Sequence, residues 1–130
     1  DISWLRGARS RVQSLMEEFG GPVNKPKNCK LYFILLTTER STPVPWGVYI
    51  GQTSKKIEDR FSVHLNPSDP KGSSKVRKKG WQLLYSLSSL VPSMSREEVL
   101  EFERLTIDSL RGKLERKSLR KLSPNRVKGG

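Results

Sequence analysis

The sequence predicts an α+β domain in which a small, mainly antiparallel sheet of three strands is flanked by helices. A further helix is expected at the N-terminus and a basic tail at the C-terminus. Three observations lead there. An apolar pattern of helical period opens the chain, short aromatic runs bounded by proline and glycine follow, and a serine–glutamate box starts a second long helical pattern. At 130 residues the chain has the size of a single domain.

Each element has its own signal. Leu5, Ala8, Val12, Leu15, Met16 and Phe19 recur at helical spacing, with Ser3 as a cap and Gly20-Gly21-Pro22 as a stop, so a helix is expected over 4–19. After a loop with Pro26 and Asn28, the apolar run from Leu31 to Thr37 reads as a buried strand. Thr42-Pro43-Val44-Pro45 is a rigid connector, and Trp46 to Gly51 a second strand; so short a connection favours an antiparallel hairpin. Ser54 stands where it can cap a helix running to about Leu65, with Ile57, Phe61 and Leu65 as its apolar stripe. Gln82 to Ser88 alternates and suits a third strand, with a helix as the competing reading. Ser95-Arg96-Glu97-Glu98 is a capping box, and the helix it starts should run to about Arg111, where Gly112 stands as a breaker. A short basic helix over Lys113 to Leu122 is expected in the tail. The organisation is therefore an N-terminal helix and linker (1–29), a core (30–112) and a basic C-terminal extension (113–130).

Composition narrows the classes of function. The longest apolar run, Leu31 to Leu36, falls far short of the ~20 residues a membrane span requires. No charged-then-apolar leader is visible, and Cys29 is the single cysteine, which rules out an internal disulfide and favours an intracellular setting. The chain opens on Asp1, as expected of a domain cut from a longer polypeptide or of a processed chain. The net charge of +12 is concentrated in two segments, Lys71–Lys79 (Lys71, Lys75, Arg77, Lys78, Lys79) and Arg111–Gly130. Such clusters displace counterions condensed on phosphates, so a polyanionic partner, nucleic acid first, is expected. Neither segment has the aromatic and basic amphipathic pattern of an interfacial helix, so no membrane partner is expected. A solvated loop and a disordered end are the plain alternatives.

A few side chains bear chemistry. Arg60 and His64 stand four residues apart on one helix and project from the same face. A guanidinium is a planar, permanently charged fork suited to phosphate oxygens, and imidazole moves protons near neutral pH. A surface arginine with a core-edge histidine is the alternative. Glu103 falls in a stripe with Leu100, Ile107 and Leu110, whereas Glu101, Arg104, Asp108 and Arg111 lie opposite. A carboxylate in an apolar stripe is costly unless paired or bound to metal, and an ion pair with Arg60 or a place at the stripe's edge is the plain alternative. Magnesium suits such a site because it keeps several waters and takes only one or two protein carboxylates. Tyr32 and Tyr49 sit on neighbouring strands, where aromatic core is the common fate.

The string Val48-Tyr49-Ile50-Gly51-Gln52-Thr53-Ser54, followed by Arg60 and His64, resembles the second half of the signature of the GIY-YIG endonuclease family. Lys30-Leu31-Tyr32 occupies the place of the first half, with lysine and leucine where the family has glycine and isoleucine. Glu103-Arg104-Leu105-Thr106-Ile107-Asp108 resembles the later helix segment, with Glu103 in the metal-ligand position. Near the place of a family asparagine this chain has Glu115; Asn125 is the other candidate, and the role is unassigned. The resemblance covers roughly Lys30 to Arg111 and implies a GIY-YIG-like fold and metal-assisted hydrolysis of a nucleic-acid phosphodiester, DNA rather than RNA. It further implies magnesium, with manganese as a substitute, held by Glu103. In this reading Tyr32 and His64 activate water, Arg60 meets the phosphoryl charge, and Tyr49 places the water or phosphate. Gly51 allows a tight strand-to-loop turn and close approach of the backbone to substrate. Lys55, Lys56 and the Lys71–Lys79 loop track the strand. Two further readings stand beside it: a nucleic-acid-binding module without catalysis, and a toxin-like effector domain with a dedicated inhibitor protein. Oligomeric state and sequence specificity have no signal in the sequence.

Overall fold

We analysed a computed structural model of the protein, whose described residues are 4–19, 28–37, 45–66, 76, 80–114 and 127–129. Two long strands, β1 (Lys30–Thr37) and β2 (Pro45–Thr53), pair antiparallel as a hairpin and form the centre of the fold. Helix α1 (Trp4–Phe19) precedes them, and α2 (Ile57–Leu65), β3 (Gly80–Leu83), α3 (Tyr85–Ser88), α4 (Arg96–Leu114) and β4 (Val127–Gly129) follow. The sheet order is β3-β1-β2-β4, with β3 antiparallel to β1 and β4 parallel to β2. The fold is α+β as the sequence predicts, with four strands rather than three.

Alternation along the central strands divides the core into two layers. Leu31, Phe33 and Leu35 of β1 and Val48 and Ile50 of β2 point to one face. There they meet Ala8, Val12 and Leu15 of α1, Leu87 of α3 and Val99, Phe102 and Leu110 of α4. The rings of Phe19 and Phe102 pack edge-to-face at 5.3 Å and lock α1 onto α4. Tyr32, Ile34, Leu36 and Tyr49 point to the opposite face, beneath Ile57, Phe61 and Leu65 of α2. Because helices cover both faces, every residue of β1 from Leu31 to Thr37 is buried. A continuous apolar run, not a half-polar one, is what such a strand requires.

Three local expectations change. Gln82 to Ser88 is divided between β3 and the one-turn helix α3. The extended ladder stops because Leu84 turns its N–H to Phe33 O (2.8 Å) while Ser88 Oγ accepts from Phe33 N (3.1 Å), so one residue of β1 is satisfied by both ends of the new turn. Helix α2 begins at Ile57, not at Ser54; Lys56 is its N-cap and makes no side-chain capping bond. Glu58 and Asp59 in its first turn supply the favourable negative charge instead. Helix α4 passes through Gly112 to Leu114. Ser3, the Gly20-Gly21-Pro22 stop, most of the 42–45 connector and the basic helix expected up to Leu122 lie largely outside the described residues.

The capping box at the start of α4 forms as expected. Ser95 Oγ accepts from Glu98 N and Glu98 Oε1 accepts from Ser95 N, both at 3.2 Å. This reciprocal pair fixes the phase of α4, and therefore which side chains of the helix face the sheet. Ser95→Ala should lower stability by about 1 kcal/mol, measured as a lower urea midpoint at unchanged slope.

Candidate active site

The site is assembled on the α2 face of the hairpin. Residues paired across a ladder share a face, so the register Tyr32↔Gly51, Ile34↔Tyr49 and Leu36↔Gly47 defines which side chains meet there. Tyr32 and Tyr49 are diagonal neighbours rather than direct partners, and their ring centroids are 6.3 Å apart. Helix α2 lays Ile57, Phe61 and Leu65 on the same layer. Its adjacent stripe carries Arg60 and His64, one turn apart. His64 is fully buried, its ring 5.9 Å from that of Tyr32 and 5.4 Å from that of Tyr49.

The Tyr32 hydroxyl is the centre of this cluster, 2.6 Å from His64 Nε2. It is also hydrogen-bonded by the side chain of Arg60. A guanidinium can only donate, so it occupies a lone pair on the phenol oxygen; the phenol donates to His64 Nε2 when the imidazole carries its proton on Nδ1. The phenol is held well above its ordinary pKa of 10.0, first by burial and then by Tyr49, with Glu103 adding to the rise while the charge and hydrogen bond of Arg60 oppose it. Tyr32 is therefore protonated at neutral pH, with an imidazole nitrogen already in contact with its hydroxyl.

Gly51 lies inside β2, not at a strand-to-loop turn. A β-carbon there would run into the hydroxyl and Cζ of Tyr32. The missing side chain thus makes room for the tyrosine ring. Lys30, which stands where a glycine was expected from the resemblance, is half-buried and donates through Nζ to the carbonyl of Val91. Burial lowers the pKa of its ammonium.

Glu103 comes from α4. The helix buries Val99, Phe102, Glu103, Thr106 and Leu110, while Leu100, expected on the same stripe, is 46% exposed. The apolar stripe is shifted by one residue, and Glu103 stays on its buried side. Two carboxylates are buried among the described residues, and Glu98 is engaged in the Ser95 cap. Glu103 is the other, close enough for its charge to act on Tyr32. Its Oε1 and, one turn on, Thr106 Oγ1 are buried atoms that make no hydrogen bond. Among the described residues no three His, Cys, Asp or Glu side chains gather as a metal cluster. A single buried carboxylate oxygen suits a hard, largely hydrated ion such as magnesium and not a zinc-type ligand set.

The other expected binding residues lie apart. Lys55 and Lys56 are exposed and line, with Lys30 and Ser54, an open cleft of about 510 Å³ at the start of α2. Lys71, Lys75, Arg77, Lys78 and Lys79 lie outside the described residues, as do Glu115 and Asn125. Sequence reasoning missed β4, whose three residues, Val127, Lys128 and Gly129, carry no local strand signal beyond the valine.

A strand tyrosine hydrogen-bonded to a helix-borne arginine and histidine, with a buried carboxylate within electrostatic range, forms a polar cluster on a basic chain. The GIY-YIG catalytic domain family matches residues 32–117, more than half of the chain. The chain belongs to the GIY-YIG family, and its domain is accordingly a nuclease domain, an endonuclease acting on nucleic acid. No curated protein and no solved structure matches it. No described helix is long and apolar enough to cross a membrane.

Two outcomes follow from the Tyr32 environment. Gly51→Ala should cost about 1–3 kcal/mol through overpacking and displace the ring, seen as a lowered melting temperature together with reduced nuclease activity. The second concerns alkaline pH. Because the folded phenol holds its proton beyond the unfolded value, its contribution to stability is intact below about pH 10 and is lost as pH rises through the folded pKa. Tyr32→Phe should flatten the alkaline fall in unfolding free energy, read as the difference between wild-type and variant denaturant curves above about pH 10.

Proposed function

We propose that this chain is a divalent-metal-dependent DNA endonuclease whose active centre is Tyr32, Tyr49, Arg60, His64 and Glu103. The observation that carries this reading is the doubly hydrogen-bonded Tyr32 hydroxyl, shared between His64 and Arg60 within range of Glu103. As a water attacks phosphorus, Tyr32 takes its proton on the phenol oxygen and passes the phenol proton to His64 Nε2. The pair thereby overcomes the weakness of a phenol as a base, because the proton has somewhere to go. Arg60 neutralises charge growing on the non-bridging oxygens as the P–O bond to the leaving oxygen breaks. Tyr49, diagonal to Tyr32, orients the water or the phosphate.

Glu103 would hold the ion, magnesium or manganese, which when bound polarises the phosphate and steadies the leaving oxygen. Lys55, Lys56 and the 71–79 loop supply contacts to the backbone phosphates, which fix register without reading bases. Gly51 serves the site by admitting the Tyr32 ring.

The purified chain incubated with supercoiled plasmid and magnesium, and in parallel with a structured RNA, tests the proposal. Nicking of the plasmid is expected, with Glu103→Ala lowering the rate by at least about 10²-fold while binding is retained. Binding by both proteins without cleavage by either would make the chain a binding module, and cleavage confined to RNA would overturn the DNA assignment.

A further inference from the structure

We propose that Lys128 is a phosphate-binding residue of this active centre, delivered to it by the C-terminal strand β4; the inference rests on the nuclease reading above. β4 lies beyond residues 32–117, the part of the chain that the family match covers. It pairs parallel with β2 in the register Val48↔Val127, Tyr49↔Lys128 and Ile50↔Gly129. Partners across a ladder share a face and neighbours alternate. Val127 is fully buried in the layer that contains Val48 and Ile50, so Lys128 projects to the other face, beside Tyr49. That is the face of Tyr32 and His64.

The register is held from α4. Arg111 donates from Nε and Nη2 to the carbonyl of Val127 at 3.2 and 3.0 Å. Gly129 lies against Ile107, whose Cδ1 would collide with a β-carbon at that position. Glu103, Ile107 and Arg111 follow one another at four-residue spacing, and Arg111, expected on the opposite side of the helix, joins Ile107 against β4 on the flank that carries Glu103. Four residues of helix rise about 6 Å and two of strand about 6.6 Å, so the pairs Arg111–Val127 and Ile107–Gly129 fit without distortion. The stripe that carries the carboxylate therefore also sets the position of Lys128, and Lys128 cannot slip along β2 relative to Glu103 without breaking both contacts.

Lys128 is half-buried, and an ammonium on a four-carbon stem meets a phosphate as a point charge. Arg60 approaches the site from α2 over the face of the hairpin, and Lys128 from the β4 edge of the sheet. The two cations come from different directions, as clamping a strand of phosphates requires.

The test uses the full chain with Lys128→Met and Lys128→Arg, which leave the anchors at Val127 and Gly129 in place. Binding to a short labelled DNA duplex and to an RNA hairpin is measured in EDTA across a series of salt concentrations, and cleavage is measured with magnesium. For the nucleic acid that the wild type binds, Lys128→Met should reduce the slope of log K against log salt by about 0.7–0.9. It should raise KM more than it lowers kcat, and Lys128→Arg should restore both. An unchanged slope and KM would overturn the proposal, and a lowered melting temperature with an unchanged slope would reduce Lys128 to a structural role. Should the wild type bind without cutting, the slope still decides on Lys128 while the nuclease reading falls; should it bind neither probe, both fall.

Discussion

The bond between the Tyr32 hydroxyl and His64 Nε2 is the constraint on which the rest of this molecule is arranged. Both groups are almost wholly enclosed, and a polar atom taken out of water without a partner costs several times what an ordinary hydrogen bond contributes. The hairpin register must set Tyr32 over a residue with no side chain, and α2 must turn His64 inward at that depth. Gly51 meets the first requirement, and the apolar stripe of α2 the second. Slipping β1 by one residue would send Tyr32 to the opposite layer, among Phe33, Ile50 and Phe102, and strand the imidazole.

The electrostatics follow from the same enclosure. Burial alone would make the phenol inert, and Arg60 is the group that works against this by charge and by donation. Burial and then Tyr49 hold the phenol proton on, Arg60 on helix α2 opposes them, and Glu103 on helix α4 adds a smaller push in the same direction as burial. The capping box at Ser95 contributes from a distance, because it fixes the turn of α4 that presents the carboxylate.

Where the signal is local, the sequence is easy to read. The periodic stripe of α1, the hairpin bounded by prolines and the Ser95–Glu98 box all depend on neighbours within one or two turns, and all form as expected. The segment Gln82 to Ser88 is ambiguous because its alternation of leucine and serine or tyrosine serves a strand and a single helical turn equally. What decides is Phe33, whose backbone groups bond to Leu84 and Ser88 from another part of the chain. Strand β4 is invisible for a related reason: three residues, Val-Lys-Gly, acquire a structure only through β2, Ile107 and Arg111. Leu100 was expected inward because it shares a turn with Glu103, but the helix is rotated so that Val99 and Phe102 take the core. In the site, the spacing from Tyr49 to His64 was informative, and the family match over 32–117 bears out the resemblance drawn from it. The contact between His64 and Tyr32 crosses between distant segments, so no local pattern announces it and only the resemblance brought the two together.

The order of the sheet bears on how the molecule meets copies of itself. Its longest and most apolar strands are interior, and the outermost positions fall to β3 and β4, of four and three residues. Beyond β3, the flank of β1 is occupied by the Cys29–Met94 bridge and by Leu84 and Ser88 on Phe33. A rim that is short on both sides and carries a lysine on one of them offers little template for an incoming strand. The hydrophobic hairpin that builds the centre is thereby shielded from the edge-to-edge polymerisation that such a sequence would otherwise invite.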